Sequence, residues 1–390
     1  MRMKKDTLLP LARQHGTPLF VYFCEEINRQ TDQLLALDMP YGYTPRYAMK
    51  ANPHPEIVKH IVSRGVGVDA SSSYEAEQAI QFGVPPDQIA LTSQQSAHNL
   101  KELVEQGVTY HATSLHQLEL YGRVFPNTTV GVRINPGVGS GHSQKTNVGG
   151  PTSSFGIWHE YIDDIKTVAK RYNFTINKVH THVGSGTDLA IWKEAIDLSL
   201  VAARQFEDCA IINLGGGFKV ARMPDEVSTP IDQVASVISQ RIKQFKQETG
   251  TELHVELEPG GFLVAGAGVL LAEIDDIVDT GEGGYTFIKL NTGMNDILRP
   301  SLYAAQHRIE VLTDRNNTKE YAVVGHNCES GDLLTPAIGD PETIATRELT
   351  EAQIGDIVAV GDVGAYCASM AAHGYNGFPS AKEVVVRGSR

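Results

Sequence analysis

The sequence predicts an α/β protein, a (β/α)8 TIM-like barrel followed by a C-terminal β-sandwich or β-barrel domain. Three observations carry this. First, short apolar runs at 46–49, 66–69, 89–92, 109–113, 129–134, 178–183, 210–214 and 253–257 alternate with helical segments. Eight strands alternating with helices over about 230 residues fit a closed barrel. Second, helical patterning stops after Gly268, where strand-like runs at 269–278, 285–290, 308–312, 320–324, 357–360 and 383–386 are punctuated by Gly and Pro. Third, nearly every barrel strand ends in a polar or glycine-rich group, and barrel chemistry sits at those ends. A doubly wound sheet is the runner-up. No strand runs directly into a G-x-G-x-x-G turn and helix, which argues against it.

In chain order, a short amphipathic helix precedes a strand at 18–23, and a helix follows over 25–38. Helical spacing continues at 55–63, 73–82, 97–106, 115–121, 161–172, 189–206 and 231–248. Polar cap-like residues precede the segments at 73 and 97. The strand at 18–23 is compatible with either domain. We assign it to the β domain, so that residues 25–267 form the barrel and residues 1–24 with 268–390 the β domain.

The chain has 390 residues, too many for one ordinary core. Hydrophobic residues make up 41% and charged residues 20%, which fits a globular protein. A net charge of −13 without a basic run excludes nucleic acid and anionic membrane as expected partners. Local arginines can still bind an anionic substrate. The four cysteines, Cys24, Cys209, Cys328 and Cys367, are far apart and lack metal-ligand spacing, so no metal is expected. The N-terminus leads into no apolar signal segment, and no stretch reaches the roughly 20 apolar residues of a membrane span. A reduced cytoplasm is the expected compartment.

The strand ends supply the candidate chemistry. The first gives Lys50, in Tyr47-Ala48-Met49-Lys50-Ala51-Asn52-Pro53. An isolated ammonium is costly to desolvate, so this lysine either reaches water or has a covalent use. Later strands give Asp69, then Thr92-Ser93, then Arg133 and Asn135, then His182 with Gly184-Ser185-Gly186. The last two give Gly215-Gly216-Gly217 and Glu258-Pro259-Gly260-Gly261. Triple glycine with Ser185 can bring bare N–H groups against a phosphate, although a plain turn reads the same way alone. Lys50 can form an imine with an aldehyde. Glu258 can hold a ring nitrogen protonated, and His182 can stack on a ring. Singly these are equally a strand-end core histidine and a solvated carboxylate. Together they ask for pyridoxal 5′-phosphate.

The β domain carries three glycine-containing segments with reactive side chains: Gly293–Tyr303 (GMNDILRPSLY), Gly325–Asp332 (GHNCESGD) and Gly364–Met370 (GAYCASM), the last followed by Tyr375–Phe378. Cys328 alone reads as a small hydrophobe. The segment Gly139–Gly150 is polar and glycine-rich and reads as a loop near the site.

The motifs YAMKAN, HVGSG, GGG, EPG, GMNDILRPSLY, CESGD and GAYCASMA, in this order from about residue 18 to 380, resemble the fold type III pyridoxal-phosphate decarboxylases. This is the alanine racemase-like fold, and the closest likeness is to the diaminopimelate decarboxylase branch. The resemblance implies a head-to-tail homodimer with shared active sites. It implies Lys50 as Schiff-base lysine, His182 on the ring, and Glu258 at the pyridine nitrogen. Ser185, Gly215, Gly216, Gly217, Gly260 and Tyr366 would hold the cofactor, with Asp69 and Arg133 supporting the lysine and ring. Arg299, Tyr303 and Tyr366 match substrate-binding positions. Cys328 and Glu329 would come from the partner subunit, as proton donor and reader of the distal amine. The implied reaction takes meso-diaminopimelate to L-lysine and carbon dioxide. One departure stands out: the family has Glu-Pro-Gly-Arg, and here position 261 is glycine. That favours, as the alternative, a decarboxylase of another amino acid or conjugate in a specialised pathway. A racemase would need a second base, against which CESGD argues. A non-catalytic regulatory homologue is disfavoured by the intact Lys50, His182, Glu258 and Cys328.

Overall fold

A computed structural model describes residues 4–138, 149–182 and 186–388. The chain divides into two compact units. One comprises Gln30–Lys219 and Val227–Phe262, the other Met1–Arg29, Val220–Glu226 and Leu263–Arg390.

The first unit is a closed barrel of eight parallel strands: Tyr43–Ala48, Gly67–Ala70, Ile89–Thr92, Thr109–Ala112, Thr129–Asn135, Thr175–His180, Ile211–Asn213 and His254–Leu257. Their order around the barrel follows the chain, and His254–Leu257 closes it against Tyr43–Ala48, with Val255 opposite Tyr43. The helices between strands start where the sequence offers caps. Ser72 accepts from the Glu75 N–H, Ser114 from Gln117 N–H and Asp188 from Ala190 N–H. Val68, Ile89, Leu91, Val132, Val179, Ile212 and Val255 are buried, as expected of strands covered on both faces.

Four strands, the first, fourth, sixth and seventh, end earlier than their apolar runs suggest. The first stops at Ala48, and Met49–Ala51 forms a 3-10 turn. Asn52-Pro53 follows, and a residue before proline resists helix continuation. The sixth strand stops at His180, where the Thr181 N–H already turns to the Asn213 carbonyl at 2.8 Å. The short strand Ile157–Trp158, paired with Ile134 and Asn135, was not legible as a two-residue run.

The second unit is built on an eight-stranded mixed sheet. Gly268–Asp279 runs through its middle. Leu19–Phe23 pairs antiparallel with it (Leu19 opposite Leu271) and parallel with Lys382–Val386. The helix Lys5–His15 lays Leu8 and Ala12 on Leu19, Val21, Val269, Leu271 and Ala359. Pro336–Ala337, Asp340–Ile344 and Arg347–Thr350 also form strands. The middle one is largely exposed and polar, so it lacks the alternation that reveals a strand. Among the described residues no helix is long and apolar enough to cross a membrane.

Candidate active site

The barrel mouth collects the strand-end residues. Lys50 stands on the 3-10 turn after the first strand and is exposed, while Met49 and Ala51 on either side are buried. Its charge acts on Asp69, Glu75 and His182. Asp69 is buried at the end of its strand, and burial, reinforced by Glu258, pushes its carboxyl well up despite Lys50 and Arg133. Arg133 lies in the Thr129–Asn135 strand with its guanidinium 4.9 Å from the Phe155 ring centroid. Burial pulls it down to about 10, against the pull of Glu258 and Asp69.

His182 follows the sixth strand. Burial, then the charges of Arg133 and Lys50, hold it well below the usual histidine range, so its ring is neutral. A Cβ at Gly215 would lie 2.6 Å from His182 Nδ1, and one at Gly216 would lie 2.3 Å from the Glu258 carbonyl oxygen. Gly215 and Gly217 have φ of 67° and 94°. The triple glycine is therefore required both by close approach and by backbone conformation. Asn135 ties the far edge, accepting from the Gly150 N–H at 2.9 Å and donating to its carbonyl at 3.0 Å. Ser185 and residues 139–148 of the glycine-rich segment lie outside the described residues. Gly260 is buried beside Glu258.

Glu258 is the best-supported side chain of the mouth. Its Oε1 accepts from Asn213 Nδ2 at 2.6 Å, and its Oε2 from His180 Nε2 at 3.0 Å. Burial alone would raise this carboxyl. The neighbouring imidazoles outweigh it, His180 first through its electrostatic pull and then its hydrogen bond, and hold Glu258 well below the usual carboxylate range. His180 is held neutral by burial, so it donates through Nε2–H. The sequence reading missed this support. Asn213 also donates to Glu256 Oε2 at 3.1 Å, and Glu256 pairs with Lys178 at 2.9 Å and Arg46 at 3.1 Å. All three charged groups are buried. His111 stacks on His180 with centroids 5.4 Å apart and bonds Thr92 at 2.7 Å. The signal was available as polar residues at alternate positions of Lys178-Val179-His180 and Glu256-Leu257-Glu258, runs that a plain buried strand would fill with apolar residues.

Among the described residues, Asp69 Oδ1, Arg133 Nη2 and His182 Nδ1 are buried polar atoms without a hydrogen-bond partner. Buried polar groups are normally satisfied, so such atoms among the strand-end residues fit a polar ligand. An exposed amine, a glycine cradle, a neutral flat imidazole and an ionised carboxylate match the aldehyde, phosphate, ring and ring N–H of pyridoxal 5′-phosphate.

The second unit holds the other predicted residues. Arg299 opens and Tyr303 closes the helix Arg299–Tyr303, and Arg299 Nε is buried without a partner among the described residues. Cys328 and Glu329 are exposed. Their loop is braced by Asn376, whose Oδ1 accepts the Cys328 N–H at 2.7 Å, and by Tyr375, whose hydroxyl donates to Glu329 at 3.3 Å. Asp332 has a structural role: it accepts from the Met294 and Asn327 N–H groups at 2.7 and 2.9 Å, tying GMND to CESGD. A Cβ at Gly293 or Gly325 would lie 2.2 Å from its Oδ2. Tyr366 sits at φ 58°, a strained backbone for a bulky residue.

Residues 24–265 match the pyridoxal-dependent decarboxylases, specifically their pyridoxal binding domain. The diaminopimelate decarboxylase of Streptomyces coelicolor is 34% identical over 394 residues, covering 98% of this chain and 87% of that protein. A crystal structure of a diaminopimelate decarboxylase superposes with a TM-score of 0.92 at 32% identity, covering all of this chain and 93% of the other. The Helicobacter pylori diaminopimelate decarboxylase, crystallised with L-lysine, has a TM-score of 0.85 at 25% identity, over 97% and 94% of the two chains. With the barrel, the lysine turn and the glycine cradle in hand, the conclusion is that this chain belongs to the pyridoxal-dependent decarboxylases, in the diaminopimelate decarboxylase family.

Proposed function

We propose that the protein decarboxylates meso-diaminopimelate to L-lysine, using pyridoxal 5′-phosphate. The ionised Glu258, clamped by Asn213 and His180 beside the glycine cradle and Lys50, carries the reading. Bound there, the cofactor supplies the electron sink that takes the pair released with carbon dioxide. Lys50 would hold it covalently through its amine. Glu258 keeps the ring nitrogen protonated, because its own proton is held off at neutral pH. His182 packs its neutral ring against the cofactor, and Gly215, Gly216, Gly217, Gly260, Ser185 and Tyr366 take the phosphate. Asp69 and Arg133 set the charge around Lys50 and the ring.

In this reading the protein is a cytoplasmic homodimer with shared sites. Arg299, Tyr303 and Tyr366 bind the substrate, and Glu329 of the partner subunit reads the distal amine. Cys328 of the partner subunit returns the proton to the carbon. The exposure of Cys328 and Glu329 in the single chain supports completion by a second copy. The barrel, residues 25–267, is the cofactor domain, and residues 1–24 with 268–390 supply the substrate side.

Gly261 favours a second reading, an amino acid or conjugate other than diaminopimelate, because a bidentate carboxylate partner is missing. A carbon-dioxide release screen of the loaded enzyme separates the two. It covers meso-diaminopimelate, ornithine, lysine, arginine and larger conjugates. Diaminopimelate as the best substrate by kcat/KM supports the first reading, and failure there with turnover elsewhere supports the second.

A further inference from the structure

Asn213 ends the seventh barrel strand, Ile211–Asn213, and is buried. A buried amide must place two donor hydrogens and an acceptor oxygen or lose free energy. This one places all three. Nδ2 donates to Glu258 Oε1 at 2.6 Å and to Glu256 Oε2 at 3.1 Å. Oδ1 accepts the Gly215 N–H at 2.8 Å. The reverse orientation would set the amide oxygen against two carboxylates and its NH2 against an N–H, so the network fixes which end is which. Asn213, Gly215, Glu256 and Glu258 all belong to one compact unit.

The Oδ1 contact reaches two residues along the chain, a turn that asparagine makes readily. It bends the chain out of the strand into Gly215, whose φ is 67°. The Gly215 carbonyl in turn accepts the Glu258 N–H at 2.7 Å. Gly215 is thus held on both sides, by the Asn213 amide and by the Glu258 backbone. Its own N–H is spent on Asn213. Among the described residues the N–H groups of Gly216 and Gly217 have no partner, so the cradle offers those two to an anion.

We propose that Asn213 is a positioning residue for the cofactor, one planar amide that fixes the ring-nitrogen carboxylate relative to the turn opening the phosphate cradle. The ring and the phosphate belong to one small molecule, so both polar ends are met only when these two protein groups keep their spacing. An amide bonded to both holds that spacing before the cofactor arrives. Serine does half of this: it can accept the Gly215 N–H through the same kind of turn but is too short to reach Glu258. Alanine does neither. The proposal rests on the reading that Glu258 meets the ring nitrogen and the triple glycine the phosphate.

Pyridoxal 5′-phosphate and pyridoxal differ by the phosphate alone, so their binding to the full chain freed of cofactor separates the two arms. By fluorescence titration, Asn213→Ala and Asn213→Ser should each weaken pyridoxal, which feels only the ring arm, by about 3- to 10-fold. Alanine should also cut the preference for pyridoxal 5′-phosphate over pyridoxal by about 10-fold, and serine should keep that preference within about twofold of wild type. A lower Tm in both variants with neither affinity changed would leave Asn213 a structural role and overturn the proposal. So would alanine keeping the wild-type preference, or serine losing it as alanine does. If the alanine variant does not fold, the serine variant still decides, because pyridoxal must weaken while the preference holds. Glu258→Gln and Gly216→Ala report on the parent reading. If the first leaves pyridoxal binding and the second leaves the preference as in wild type, that reading falls. If both change and the Asn213 variants do not, this proposal alone falls.

Discussion

The Glu258 carboxylate accepts a hydrogen bond from His180 Nε2 at 3.0 Å, both groups being buried. This contact helps Glu258 hold its charge, while burial keeps His180 neutral against the opposing pull of Glu258. Replacing Glu258 by Gln should keep the shape and remove the charge. Turnover should fall by about 10²- to 10⁴-fold, the scale of a lost acid–base group. The measurement is kcat alongside the absorbance of the bound cofactor, and turnover near wild type would refute the role.

Asn213 joins Glu258 to the buried ion pairs of Glu256. Asn213→Ala withdraws one donor from each carboxylate and should destabilise the protein by about 2–3 kcal/mol in urea. Asn213→Asp places a third acid between two and should be worse than alanine. Equal stability of the two variants would show that the amide does not bridge.

Gly216→Ala directs a methyl at the Glu258 carbonyl oxygen. The backbone cannot yield as a flexible side chain would, so about 1–3 kcal/mol of strain is expected. Cofactor affinity, read by fluorescence titration, should fall with it. Unaltered affinity would place the phosphate elsewhere.

The pH dependence of stability follows from the histidines. His111, His180 and His307 are all pushed below the ordinary histidine value, by burial first. The unfolded chain then binds more protons than the native one below about pH 6.5. Stability is therefore full above that value and declines as pH falls through it. Glu258, depressed instead, keeps its contribution until the pH drops below the unfolded carboxylate value of about 4.3. Tm measured from pH 8 to 5 should fall with a slope exceeding one proton. A flat profile would mean these rings are protonated in the native state.

Shared sites can be tested by mixing. Lys50→Ala and Cys328→Ala should each be nearly inactive, because the proposed function makes Lys50 the covalent anchor and Cys328 the proton donor. Mixed one to one and allowed to exchange, they should recover about a quarter of wild-type activity, since half the dimers then carry one intact site of two. No recovery, with exchange verified by mass spectrometry, would put both residues in one subunit's site.

Local sequence determined a great deal. The alternation of apolar runs and helical spacing is a short-range property, and it returned all eight barrel strands within a few residues of their bounds. The candidate site residues were legible too, because a lysine turn, a triple glycine and a strand-end glutamate are themselves local departures from an apolar pattern. Tertiary structure alone decided what supports them. Lys178 meets Glu256, and His180 meets Glu258, across 78 positions. Arg222 reaches Asp362 across 140. No local pattern encodes such partners, because a parallel barrel brings together strands separated by whole helices, and only its closure decides which buried charges face each other.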